Sequence, residues 1–400
     1  MFLLIMNKKI LLYILSLFFV DDFINSQTLE IKTGPDNEDK VKVTMGGRIA
    51  FDGALYFDDK TKLGNGMTIS DVRLTTKMQY KKWDAKIDFG FADKKVNTKD
   101  IHLIYNINEN SWVKLGYAGE QLGLENWEST AWQKFMTPAS SSQVFGSGRQ
   151  LGLTYVKWNK RIYVSGGFYS DNDALSNSKE GNQGYACVSK FSYDPLSSNG
   201  NILHLGISGE YRTGNRDGLD ENNKTKRIMN YSGDLITKVE KKKPLDFTIT
   251  NVKDQYRFVT ELLATTGPIF LLGEYYNLHV NRKKYYHSYN AGGFYIQSGV
   301  LIFGDKTYRY NLGDRRLKRP DGKTLEIAVR YDHTDLNDGV YQTEILKGGR
   351  MSDVSVALNY YVNKYIGFKL NYSNVNLGVY NNYGNKENIN LIQGRVIVVF

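Results

Sequence analysis

Apolar and polar side chains alternate residue by residue along most of this chain, and that period of two leaves few folds open to it. In "GRIAFDGALYF", Ile49, Phe51, Leu55 and Phe57 share one face, while Arg48, Asp52 and Tyr56 share the other. "VRLTTKMQY" sets Val72, Leu74, Met78 and Tyr80 against Arg73, Lys77 and Gln79. "WDAKIDFGF" sets Trp83, Ala85, Ile87, Phe89 and Phe91 against Asp84, Lys86 and Asp88. "IHLIYNI", "WVKLGY", "LEIAVRYDHTDL" and "YIGFKLNY" keep the rhythm, and so does "LIQGRVIVVF", in which Val396, Val398 and Phe400 share a face. Few stretches follow a 3.6-residue period, so long helices are not expected.

Segments of about ten residues with this alternation, separated by turns such as "NEN", "WNK" and "VNK", predict an all-β, antiparallel transmembrane barrel. The count is about sixteen strands, enough to enclose a water-filled lumen. A barrel in lipid can leave no open edge, so the last strand is expected to pair with the first. Phe400 then stands at the periplasmic rim as an outer-membrane assembly signal. The long connections are read at 120–148, 170–182, 213–254 and 304–322, all facing outward, with tight turns at the opposite end.

Composition agrees with this reading. Aromatics and glycine are abundant (29 Tyr, 19 Phe, 38 Gly), proline is scarce (6), and a mean hydropathy of −0.45 is too polar for helical spans. The formal charge of +10 asks for an anionic partner. Nucleic acid is set aside, because "MNKKILLYILSLFFV" (6–20) has the basic start and short apolar run of a secretory signal. The organisation follows as a signal peptide over 1–26, a short mature leader over 27–40 and the barrel over 41–400. One cysteine, Cys187, and five scattered histidines exclude a disulfide framework and give no metal site or cofactor motif. No serine–histidine pair is placed for lipid hydrolysis, and no phosphate-binding glycine loop appears, so an enzyme is not expected.

In such a barrel the apolar face of each strand meets lipid and the other face meets the lumen. Arg48, Arg73, Lys77, Lys86, Lys114, Arg161, Arg212, Arg257, Arg330, Lys369 and Arg395 fall on that second face. Asp52, Asp88, Glu210, Glu261 and Asp332 share it, leaving a mixed wall with a basic excess. Rings of Arg and Lys favour anions, and the arginine fork suits phosphate. The competing reading is a barrel that acts through its long surface loops as a binding or structural protein.

Several stretches, in order, carry a family resemblance: "ISDVRLTTKMQYKKWDAKIDFGFAD", "VKLGYAGEQLGLENWESTAWQKFM", "GRQLGLTY", "GPIFLLGEYYNLHVNR", "YDHTDLNDG" and "GGRMSDVSVALNYYVNKYIGFKLNYSNV". From about residue 46 to 400 the chain resembles the phosphate-selective porin O and P family. The resemblance implies a sixteen-stranded barrel, a homotrimer, and a third loop folded inward to form a basic constriction. It also implies small phosphate-like anions as permeants, with outer-membrane lipid, lipopolysaccharide and the assembly machinery as partners. Arg73 matches the family's arginine-rich second strand, where Val72 replaces a neighbouring arginine. Arg149 matches the arginine of "GR-x-x-G". The family's "FMER" reads "FMTP" at Phe135–Pro138, so a constriction arginine is missing, with Lys134 as its partial substitute. Loop 120–148 is therefore expected to be pinned by Trp127, Trp132 and Phe135, with Lys134, Arg73 and Arg149 setting the local potential.

Overall fold

The computed structural model describes residues 27–33, 39–58, 60–92, 95–171, 180–342 and 344–400. The expected signal peptide lies outside them. The strands are β1 (Gln27–Thr33), β2 (Asp39–Asp58), β3 (Gly66–Tyr80), β4 (Trp83–Gly90), β5 (Asn97–Asn108), β6 (Ser111–Gly119) and β7 (Arg149–Trp158). There follow β8 (Ile162–Ser170), β9 (Tyr185–Ser198), β10 (Asn201–Thr213), β11 (Ile228–Gly233), β12 (Leu245–Thr250), β13 (Val252–Thr266) and β14 (Ile269–Arg282). The chain ends with β15 (Tyr289–Phe303), β16 (Tyr310–Asn311), β17 (Arg316–Leu317), β18 (Thr324–Tyr341), β19 (Glu344–Tyr361), β20 (Ile366–Leu377) and β21 (Glu387–Val399).

Sixteen of these strands pair antiparallel, each with the next barrel strand along the chain (β10 with β13 and β15 with β18 across the small hairpins), and β2 pairs with β21 to close the barrel. The seam runs in register from Arg48 opposite Val399 to Asp58 opposite Ile389. One step further, Gly47 and Phe400 exchange both backbone hydrogen bonds, at 2.8 and 2.9 Å. The expected leader contains a strand of its own, since β1 pairs with the first residues of β2, Gln27 opposite Met45.

The faces fall as the alternation dictates. Phe51, Leu55 and Phe57 on β2, and Leu205 and Ile207 on β10, stay exposed on the outer surface. Their neighbours Asp52, Ser208 and Glu210 are buried on the inner one. A sheet with an apolar exterior and a polar interior is one built for lipid outside and water inside.

Two connections depart from expectation. The long segment after β10, read only as an outward connection, folds back as a hairpin, β11 against β12. The segment 304–323 lies at the end of the barrel that carries the tight turns, not with the other long connections. There, Gly200 donates to Tyr308 O at 2.7 Å, Arg315 Nη2 to Asn159 O at 2.8 Å, and Arg319 Nη1 to Lys364 O at 2.8 Å. Strand parity decides the matter, because each antiparallel crossing switches ends and β15 emerges on the turn side. Length alone puts this segment at the outer mouth, and length does not fix the side on which a connection lies.

Two apolar clusters tie connections to the inner wall. Leu122, Val144 and Phe145 join Leu235 and Ile249 against Tyr276, Tyr289 and Tyr295. Leu124 and Phe135 join Tyr308, Tyr310 and Leu317 against Phe270 and Leu301. Burial of this kind, with tyrosine hydroxyls bonded to inner carboxylates, fills part of the barrel's interior with packed side chains.

Candidate anion pathway

Residues 120–148 connect β6 to β7 and are held at many points to inner-face side chains. Glu274 of β14 accepts from Leu124 and Glu125 N–H at 2.6 and 3.0 Å. Lys190 of β9 donates to Gly123 O at 2.9 Å, and Ser208 of β10 accepts from Gly123 N–H at 3.1 Å. On β18, Asp332 accepts from Ser141 Oγ at 2.7 Å and Arg330 donates to Thr137 O at 3.0 Å. Asn359 of β19 donates to Lys134 O at 3.0 Å, Lys369 of β20 to Gln133 O, and Arg48 of β2 to Ser129 Oγ at 2.9 Å. Most of the segment is buried. Phe135 sits 4.4 Å beneath the Arg330 guanidinium and Trp132 packs beside Ala50 and Ile397, whereas the Trp127 side chain lies outside the described residues.

Between this segment and the strands β2, β3, β4, β5, β7 and β21 lies a cavity of about 840 Å³. Nine basic and four acidic residues line it. The structure brings six of the expected pathway residues together there: Arg48, Arg73, Lys77, Lys86, Arg149 and Arg395. Three more lysines join them, Lys99 from β5 and Lys238 and Lys241 from the segment between β11 and β12. The first was missed because strict alternation groups Lys99 with Ile101 and Leu103, whereas a register shift opposite Asp88 interrupts the alternation there. The other two sit in a charge run that gives no sign of its target.

The remaining four expected residues are elsewhere. Lys114 lies over the Trp112 ring at 4.8 Å. Arg257 donates to Phe145 O at 2.8 Å and pairs with Glu210. Arg330 faces Glu125 at 3.6 Å. Lys134 forms a 3.0 Å pair with Glu326, its side chain 5% exposed, between the Phe270 and Tyr308 rings. Arg161, read as a wall residue, is exposed in the turn between β7 and β8.

The cavity's cations are laced with carboxylates. Asp71 accepts from Arg48 Nε at 2.6 Å and from Arg73 Nε at 3.1 Å. Arg73 Nη1 also reaches Asp88 at 3.3 Å. Asp100 accepts from Lys86 Nζ at 2.5 Å and Arg149 Nε at 2.7 Å. Arg395 grips Asp52 with both prongs, at 2.7 and 2.6 Å. Asp71 and Asp100 were not singled out in the sequence, although Asp71 stands two residues before Arg73 and therefore on the same face. Lys77 and Lys99 have no ion pair with any described residue. Among the described residues no group of His, Cys, Asp and Glu is arranged to hold a metal ion.

Barrels of this kind recur among solved structures. OmpT of Vibrio cholerae in its trimer form superposes with a TM-score of 0.56 at 11% identity, over 90% of this chain and 99% of that one. The anion-selective porin from Comamonas acidovorans does so with 0.56 at 11% identity, over 90% and 100%. The outer membrane channel DcaP of Acinetobacter baumannii gives 0.57 at 12% identity, over 90% and 97%. No curated relative matches the chain. The family model of the phosphate-selective porin O and P proteins matches residues 43–400, and with its closed barrel and basic inner cavity the chain belongs to that family.

Proposed function

We propose that this protein is a water-filled channel of the outer membrane through which small anions diffuse passively. The observation that carries the reading is the excess of nine basic over four acidic residues around one cavity beside the wall. Fixed donors there replace part of a permeant anion's hydration, while the potential repels cations. The bonds between residues 120–148 and side chains of nine strands support an inward-folded third loop that narrows the lumen. Arg48, Arg73, Lys77, Lys86, Arg149 and Arg395 line the anion pathway in this reading.

The "MNKKILLYILSLFFV" segment serves export, and Phe400 serves recognition by the assembly machinery. The trimer form of OmpT favours a homotrimer here, with lipid and lipopolysaccharide around the apolar exterior. Reversal potential in a potassium chloride gradient across a planar bilayer tests the channel reading. An anion-preferring potential is the expected result, and absence of a steady current would sink it. Arg73→Glu, which reverses one charge in the cavity, should move the potential toward cations, most visibly at low salt.

A further inference from the structure

All four arginines that line the cavity have their Nε committed to an aspartate: Arg48 and Arg73 to Asp71, Arg149 to Asp100, and Arg395 to Asp52. The Nε edge is one side of the planar fork with which a guanidinium holds an oxyanion through two parallel hydrogen bonds. Asp71 and Asp100 each bridge two cations, so two carboxylates occupy three arginines and Lys86. With Asp88 between Arg73 and Lys86, at 3.3 and 3.8 Å, the wall becomes an unbroken alternation of charge from β2 to β7. Only Lys77 and Lys99, single donors on flexible stems, stand outside it without an ion pair to a described residue.

We propose that Asp71 and Asp100 are specificity-determining residues that keep this channel from holding phosphate tightly and favour small monovalent anions, chloride and short carboxylates among them. The inference rests on the anion-channel reading above. A phosphate dianion gains most where several arginine forks converge on it. Here it must first displace a carboxylate from each fork, and every displaced carboxylate then repels it. A monovalent anion passing along Lys77, Lys99 and the remaining Nη groups needs no such exchange. The aspartates lower affinity for the tightly binding ion while the basic excess still draws anions in.

The test uses the full-length protein in planar bilayers, with inorganic phosphate titrated against the chloride current. The wild type should be anion-preferring by reversal potential, with phosphate halving its chloride current only at concentrations comparable to chloride. Asp71→Asn frees the Nε edges of Arg48 and Arg73, and Asp100→Asn frees Arg149 and Lys86. Each should lower the half-blocking phosphate concentration about fivefold, the worth of one partly exposed ion pair, and the double variant by more than about tenfold. If Asp71→Asn does not assemble, Asp100→Asn, acting on a separate pair of cations, carries the same comparison.

An anion-preferring wild type halved by micromolar phosphate overturns the inference. A folded double variant that keeps the wild-type half-block concentration does the same. A wild type without ion current removes the channel reading instead, and this inference with it.

Discussion

Gly47 and Phe400 hold the barrel shut: Gly47 N–H donates to Phe400 O at 2.8 Å, and Phe400 N–H returns a bond to Gly47 O at 2.9 Å. The Phe400 ring lies where a side chain on residue 47 would stand. A Cβ there would come within 2.3 Å of Arg73 O and 2.8 Å of the ring. Contact with a backbone oxygen cannot be relieved by a rotamer change. Gly47→Ala is therefore expected to weaken seam closure by about 1–3 kcal/mol, the usual cost of overpacking. Thermal loss of the compact form on semi-native electrophoresis measures it. An unchanged midpoint would show that β2 and β3 separate there at no cost.

The Lys134–Glu326 pair, 3.0 Å apart and buried, anchors the third loop to β18. Glu326 also accepts from Tyr308 and Tyr361 hydroxyls at 2.6 and 2.9 Å. Lys134→Met should destabilise the protein, toward the lower end of the ~3–5 kcal/mol for breaking a buried pair, because those neutral donors remain. Since Lys134 stands outside the cavity lining, its anion preference should change less than that of Arg73→Glu. Guanidinium midpoints together with reversal potentials of the two variants check both halves.

Glu125, in the third loop, faces Arg330 at 3.6 Å and accepts from Ala139 N–H at 2.9 Å. Burial outweighs both, and with Glu274 and Glu128 nearby its carboxyl is pushed up to about 8. A carboxyl whose pKa is raised by folding binds its proton more tightly in the folded state. Its contribution is complete below the ordinary carboxyl range near 4.5 and is lost as pH rises through about 8. Wild-type thermal stability should fall between about pH 5 and 8 and level off above that, and Glu125→Gln should flatten that part of the profile. Parallel profiles for the two proteins would remove Glu125 as the cause.

Arg315, in the segment 304–323, pairs with Asp194 at 2.8 Å, and both side chains are fully buried. Tyr310 adds a 3.0 Å bond to the same carboxylate. Arg315→Met leaves Asp194 with Tyr310 and His204 and should release the segment from the turn-side mouth. Trypsin has sites there at Lys306, Arg309, Lys318 and Lys323. Faster cleavage within the segment and a larger single-channel conductance are the expected outcomes. Unchanged cleavage would mean that packing of Tyr308 and Leu317 alone retains it.

The sequence by itself determined the barrel, its strand count and the two faces of its wall. A side-chain period of two is a local property of the backbone, so Phe51 and Leu55 had to face one way and Asp52 the other. It also determined five of the cavity's basic residues, because face follows from parity once lipid is placed outside, and the family resemblance added Arg149. Only the tertiary structure decided which of those charges are free and where the connections go. Asp71 neutralises Arg48 from the neighbouring strand, 23 positions away, and Lys134 meets Glu326 across the barrel's interior. Such pairings depend on cross-strand register and on where a loop comes to rest, neither of which a single strand encodes. The segment 304–323 shows the same limit. Its turn-side position follows from counting every crossing before it, and Arg315 finds Asp194 only because β9 and that segment meet at one mouth.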